Sequence, residues 1–66
     1  MAWGWFWKHN DLGAGPYAHL DDVVAELGLE ADRKNVTADQ FITHMEKCGI
    51  KIEYRYGEPH GLLKKR

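Results

Sequence analysis

The chain begins on strict alternation and returns to it near its end. In residues 2–8, Trp3, Trp5 and Trp7 fall on one side, with Gly4 and Phe6 on the other. A period of two carried by aromatic side chains predicts a strand. Residues 50–56 repeat the pattern. Ile50, Ile52, Tyr54 and Tyr56 face one way, and Lys51, Glu53 and Arg55 face the other. That is a strand with one wet face, as antiparallel sheets carry.

Between these segments the period becomes helical. Tyr17, Leu20, Val24 and Leu27 recur at helical spacing, and Val23 widens the stripe, which predicts a helix over 17–27. Pro16 suits its first position, Asp21 and Asp22 suit its early turns, and Gly28 suits a left-handed stop. A second helix is predicted over 37–48. Thr37 and Gln40 have the spacing of a capping box, and Val36 and Phe41 that of a hydrophobic staple. Its buried stripe is expected to be Phe41, Ile42, Met45 and Cys48, closed by Gly49. Residues 9–16 read as a loop from their glycine and proline content, and residues 29–36 as a polar connection. Residues 57–61 have turn chemistry. Residues 61–66 are expected to form a short third strand or a basic tail.

The order predicts a small single domain over 1–66 of the α+β class, β-α-α-β(-β). Two helices pack on one face of a small antiparallel sheet. That face carries the Trp and Ile side chains, with Leu20, Val24, Leu27, Phe41, Met45 and Ile52 buried together. A two-stranded ribbon alone is marginal in water, so helix cover is required. In this reading strand 2–8 is an edge, and Phe6 is exposed on the face away from the helices.

Size limits the function. At 66 residues and 7.6 kDa, the chain buries only about 60% of its unfolded surface. Its 44% hydrophobic and 29% charged residues suit a folded domain. It holds no apolar run of about 18 residues and no secretory leader pattern, so no membrane association and a cytoplasmic location are expected. The Asn35-Val36-Thr37 sequon is therefore read as accidental. The single cysteine, Cys48, excludes an internal disulfide framework. Residues 1–33 hold two basic against six acidic residues, and residues 34–66 hold seven against four. Such a charge dipole suits docking on a protein surface of mixed charge.

No catalytic set emerges, and no cofactor or metal is expected. His44 and Cys48 stand four apart on one helix, but zinc needs further ligands at suitable spacing. Cys48 is read as a buried core thiol at a helix C-terminus, which does not activate a nucleophile. Gly13 and Gly15 lack the lysine and hydroxyl of a phosphate loop. A winged-helix arrangement, with 37–48 as recognition helix, is opposed by the long 29–36 connection. The exposed face of that helix also carries Asp39 and Glu46 against Lys47, a poor match to phosphates. The aromatic strands would offer stacking for bases, but Trp3, Trp5, Trp7, Tyr54 and Tyr56 share their face with Ile50 and Ile52 and are read as core.

Residues 41–63 run helix, Gly49-Ile50, strand, turn, then Gly61-Leu62-Leu63. This order resembles the helix-hairpin of small toxin and mobilisation proteins of mobile elements. In some of those a histidine in the turn is functional, and the resemblance would place it at His60. No activity is carried over, and a ribonuclease-like reading would rest on His60 alone.

The expected function is that of a non-enzymatic protein-interaction module, an accessory or inhibitory protein docking on a larger complex. The alternative is a small nucleic-acid-binding regulator using the basic C-terminal strand and tail. The binding residues expected are Phe6 as an aromatic anchor, with Lys8, Lys51, Arg55, Lys64, Lys65 and Arg66 around it or in the tail. The partner expected first is a protein, and an edge strand would also serve a homodimer.

Overall fold

Alternation in the first residues produces strand β1, Ala2–His9, and the Ile/Tyr segment produces β3, Lys51–Gly57. The two pair antiparallel over all of β3, from Ala2 opposite Gly57 to Lys8 opposite Lys51. The structure, a computed structural model, describes residues 1–59. Within them lie a further strand, β2 (Leu12–Tyr17), and three helices: α1 (Leu20–Leu27), α2 (Glu30–Arg33) and α3 (Ala38–Lys47). The class is α+β as expected, with the helices on one face of an antiparallel sheet. The order is β-β-α-α-α-β. The expected strand or tail at residues 61–66 lies outside the described residues.

β2 is the main departure from the sequence reading, which made 9–16 a loop. Its glycines are there because the neighbouring strand is close. A Cβ at Gly13 would lie 2.9 Å from the Trp7 carbonyl oxygen, and one at Gly15 would lie 2.5 Å from the Phe6 ring. Asn10 makes the tight turn into β2 at a positive φ of 55°, which asparagine tolerates. The β1–β2 register shifts between Trp5 opposite Tyr17 and Trp7 opposite Ala14. Two residues, Gly15 and Pro16, therefore stand against Phe6 alone, as in a β-bulge.

The addition of β2 changes the status of β1. Strand order is β2-β1-β3, so β1 is the centre of the sheet and not the expected edge. β2 also absorbs Pro16 and Tyr17, so α1 begins at Leu20 rather than at 17. Tyr17 is half-buried beside the core, where its hydroxyl accepts from Trp7 Nε1 at 3.4 Å. Gly28 stops α1 in the left-handed region as expected. One helical turn, α2, forms within the expected connection and buries none of its residues.

α3 follows its local signals. Thr37 Oγ1 accepts from the Gln40 N–H at 3.1 Å, and Gln40 Oε1 accepts from the Thr37 N–H at 3.0 Å. Phe41 and Met45 point inward; Ile42 is partly buried. Cys48, expected in the core, is exposed. It is the C-cap, where the chain leaves the helix and turns toward β3, so the inward stripe ends one turn earlier.

The core gathers Trp7, Ala14 and Ile52 from the three strands with Leu20, Val23, Val24, Phe41 and Met45 from the helices. Leu27 packs against its margin. The helices cover the Trp7–Ile52 end of the sheet. The expectation that all three tryptophans are core therefore fails at the other end, where Trp3 is exposed.

Phe41 is fully buried. Phe41→Ala should cost about 3–5 kcal/mol in chemical denaturation, comparable with the whole stability of so small a domain. A second substitution probes the cap. Thr37→Ala should cost about 0.5–2 kcal/mol and Thr37→Asp almost nothing, read as a difference in melting midpoint.

Candidate interaction surfaces

The two faces of the sheet present different surfaces. On the face away from the helices, β1 contributes Gly4, Phe6 and Lys8, and β3 contributes Lys51, Glu53 and Arg55. The expected grouping of an aromatic ring with basic side chains is therefore present. Its expected exposure is not, because Phe6 is only 2% exposed. The Arg55 guanidinium lies over the ring, 3.9 Å from its centroid, and is held by Glu53 through Arg55 Nε–Glu53 Oε1 at 3.2 Å. Gly15 and Gly57 bring backbone against the same ring. Phe6 is thus a buried second-face anchor and offers no open ring to a partner.

Lys8 and Lys51 are directly opposite each other, both exposed, and border a hollow of about 360 Å³ with Glu53 and Arg55. Of the expected binding residues, the fold brings Phe6, Lys8, Lys51 and Arg55 to one face. Lys64, Lys65, Arg66 and His60 lie outside the described residues.

The helix-bearing face holds a surface whose rings the sequence pattern assigns to the core. Beyond the helices, Trp3, Tyr54 and Tyr56 are 64%, 54% and 51% exposed. Trp3 stacks on Tyr54, with centroids 5.9 Å apart and planes at 21°, and meets Tyr56 at 5.7 Å and 57°. Trp5, half-buried, sets its ring edge-on to Tyr54 at 5.3 Å. Four rings from two adjacent strands thus form one aromatic cluster that runs from the core margin to open solvent. The cross-strand register explains it, since Trp3 faces Tyr56 and Trp5 faces Tyr54. The signal in the sequence was the alternation itself, which put these rings on one side without saying how far helix cover reaches.

The outer side of α3 is polar. Asp39, Gln40, Thr43, His44 and Lys47 line a shallow hollow there, and His44 Nε2 sits 3.8 Å from Asp32 Oδ1. Among the described residues no three His, Cys, Asp or Glu side chains gather in metal-binding proximity. No described helix is long and apolar enough to cross a membrane.

Comparison with protein-family models, with curated proteins and with solved structures gave no match to this chain.

Because Phe6 is buried, its truncation should act on stability. Phe6→Ala should cost about 3–5 kcal/mol in chemical denaturation. Gly15→Ala should also lower the melting midpoint, since its φ of 148° and the approaching ring both resist a side chain. A Phe6→Ala protein with an unchanged midpoint would contradict this packing.

Proposed function

We propose that this chain is a non-enzymatic protein-interaction module, an accessory or inhibitory protein that docks on a larger complex. One observation carries the reading: the cluster of Trp3, Tyr54 and Tyr56, exposed on an ordered sheet. Tyrosine and tryptophan supply much contact area from few rotatable bonds, and each keeps a polar tip for a hydrogen bond. They dominate binding hot spots for that reason. The pairing of β1 with β3 fixes its rings relative to one another, so little ordering would be lost on docking. Lys8 and Lys51 remain candidates for steering a partner, now from the opposite face.

The same cluster also favours a second reading, as a regulator that binds single-stranded nucleic acid. Stacked rings on an open sheet receive bases, and such sites add positive charge along the strand. Gly57 lies beside Ala2 at the aromatic end of the sheet, and Lys64, Lys65 and Arg66 follow it in sequence. The cytoplasm is the compartment proposed for either reading.

Affinity capture from the native host tests both, with wild type compared with Trp3→Ala and Tyr56→Ala. Both variants should melt within a few degrees of wild type, because both rings are more than half exposed. A protein retained after nuclease treatment by wild type, and lost by the variants, supports the first reading. Nuclease-sensitive capture supports the second, together with tryptophan quenching by a single-stranded oligonucleotide that weakens steeply with salt. A partner retained equally by wild type and both variants rejects the aromatic cluster as the site.

A further inference from the structure

The two edges of the sheet are built differently. β2 carries Pro16, which has no N–H to offer, and a bulge that breaks its register. Both features discourage a further strand from pairing there. β3 is regular over seven residues and pairs with β1 without a shift. Among the described residues, no strand pairs with its other edge.

We propose that a second copy of this chain pairs with that edge, β3 against β3, antiparallel about a twofold axis centred on Tyr54. The charges select both partner and register. A twofold axis normal to the sheet keeps the aromatic faces on the same side, and because opposed residues share a face it must pass between the two copies of a single residue. Centred on Tyr54, all seven residues of β3 pair. Glu53 then faces Arg55 of the second copy, and Arg55 faces its Glu53. Centred on Glu53, the strands would oppose Glu53 to itself and Lys51 to Arg55. Centred on Arg55, they would oppose Arg55 to itself. Centred on Ile52 or Tyr56, only three residues of β3 would pair.

Opposite charges directly across an antiparallel pair stabilise it, and like charges oppose it. The edge is therefore complementary to itself in its longest register and repulsive in the two nearest ones. On the other face, Tyr54 meets its own symmetry mate. The two aromatic clusters, Trp3 with Tyr54 and Tyr56, then join across the new interface into one surface on a sheet to which each copy gives its three described strands. An isologous interface of this kind closes at two copies and does not propagate. The inference rests on the proposal that this aromatic end is a binding surface, and it names one occupant.

Sedimentation equilibrium of the full chain over a concentration series tests it. Wild type should approach twice its 7.6 kDa at the upper concentrations. Glu53→Arg and Arg55→Glu should each weaken association by about tenfold or more. An equimolar mixture of the two variants, and the double variant Glu53→Arg with Arg55→Glu, should both restore it. Arg55 also covers Phe6, so a second pair leaves that contact intact. Tyr54→Lys and Tyr54→Glu should each weaken association through like charges at the twofold centre, and mixing them should restore it.

A chain that stays monomeric throughout overturns the inference. So does a dimer indifferent to these substitutions, or one weakened by them that mixing does not rescue. Capture of a partner through Trp3 by a monomeric chain would leave the proposed function standing while this pairing falls.

Discussion

Everything else in the domain depends on β1 being paired on both sides. A central strand in so small a protein has to serve two faces at once, and β1 does so with adjacent residues. Trp7 turns into the core beneath the helices, and Phe6 turns to the face that the helices leave uncovered. Burying Phe6 without a second layer of helices takes close backbone approach. The bulge at Gly15 and Pro16 and the glycine at 57 bring chain against the ring, and Arg55 closes over it. An arginine stacked on an aromatic ring keeps its charge at the surface while its planar group replaces apolar cover. Its pairing with Glu53 then orients it. That ion pair is partly exposed, so its value lies in orienting the guanidinium and less in its own energy.

The helix-bearing face is governed by a mismatch of lengths. Eight residues of strand run about 26 Å. Helices of eight and ten residues run about 12 and 15 Å. Helices of that length do not roof the whole sheet, and the part they leave is the end that carries Trp3, Tyr54 and Tyr56. Cross-strand contact among the rings recovers some burial, since paired aromatics shield one another. More than half of each of these three side chains still meets solvent. It is this exposure, on a chain with few residues to spare, that the proposed docking role rests on.

What was legible in the sequence was local or periodic. Thr37 and Gln40 fix the start of α3 through bonds that span three residues, so their spacing sufficed. The alternation of β1 and β3 likewise separated the faces correctly, and Phe41, Met45 and Ile52 were identifiable as core. What was not legible depended on neighbours distant in sequence. Gly13 and Gly15 read as loop punctuation, yet they are glycines because β1 leaves no room for a Cβ. With β2 unseen, β1 became an edge and Phe6 an exposed ring. Cys48 satisfied the helical period but fell on the cap, where the chain turns away. The tryptophans were assigned to one face correctly and to one fate wrongly, because periodicity gives direction and says nothing of cover.

The asymmetry of the edges follows from the same economy. The bulge that buries Phe6 falls on β2, and it disrupts that strand's outer row of backbone groups as a by-product. β3 bears no such irregularity, because the Arg55 stack depends on a regular register with β1: Gly4 opposite Arg55 and Phe6 opposite Glu53. A bulge in β3 would shift Arg55 off the ring and reverse the faces of Tyr54 and Tyr56. The regularity that holds Phe6 under Arg55 therefore also preserves an unbroken strand edge. That edge lies beside the exposed aromatic rings, so the requirement that closes one face of the sheet leaves, among the described residues, a regular and unpaired flank next to them.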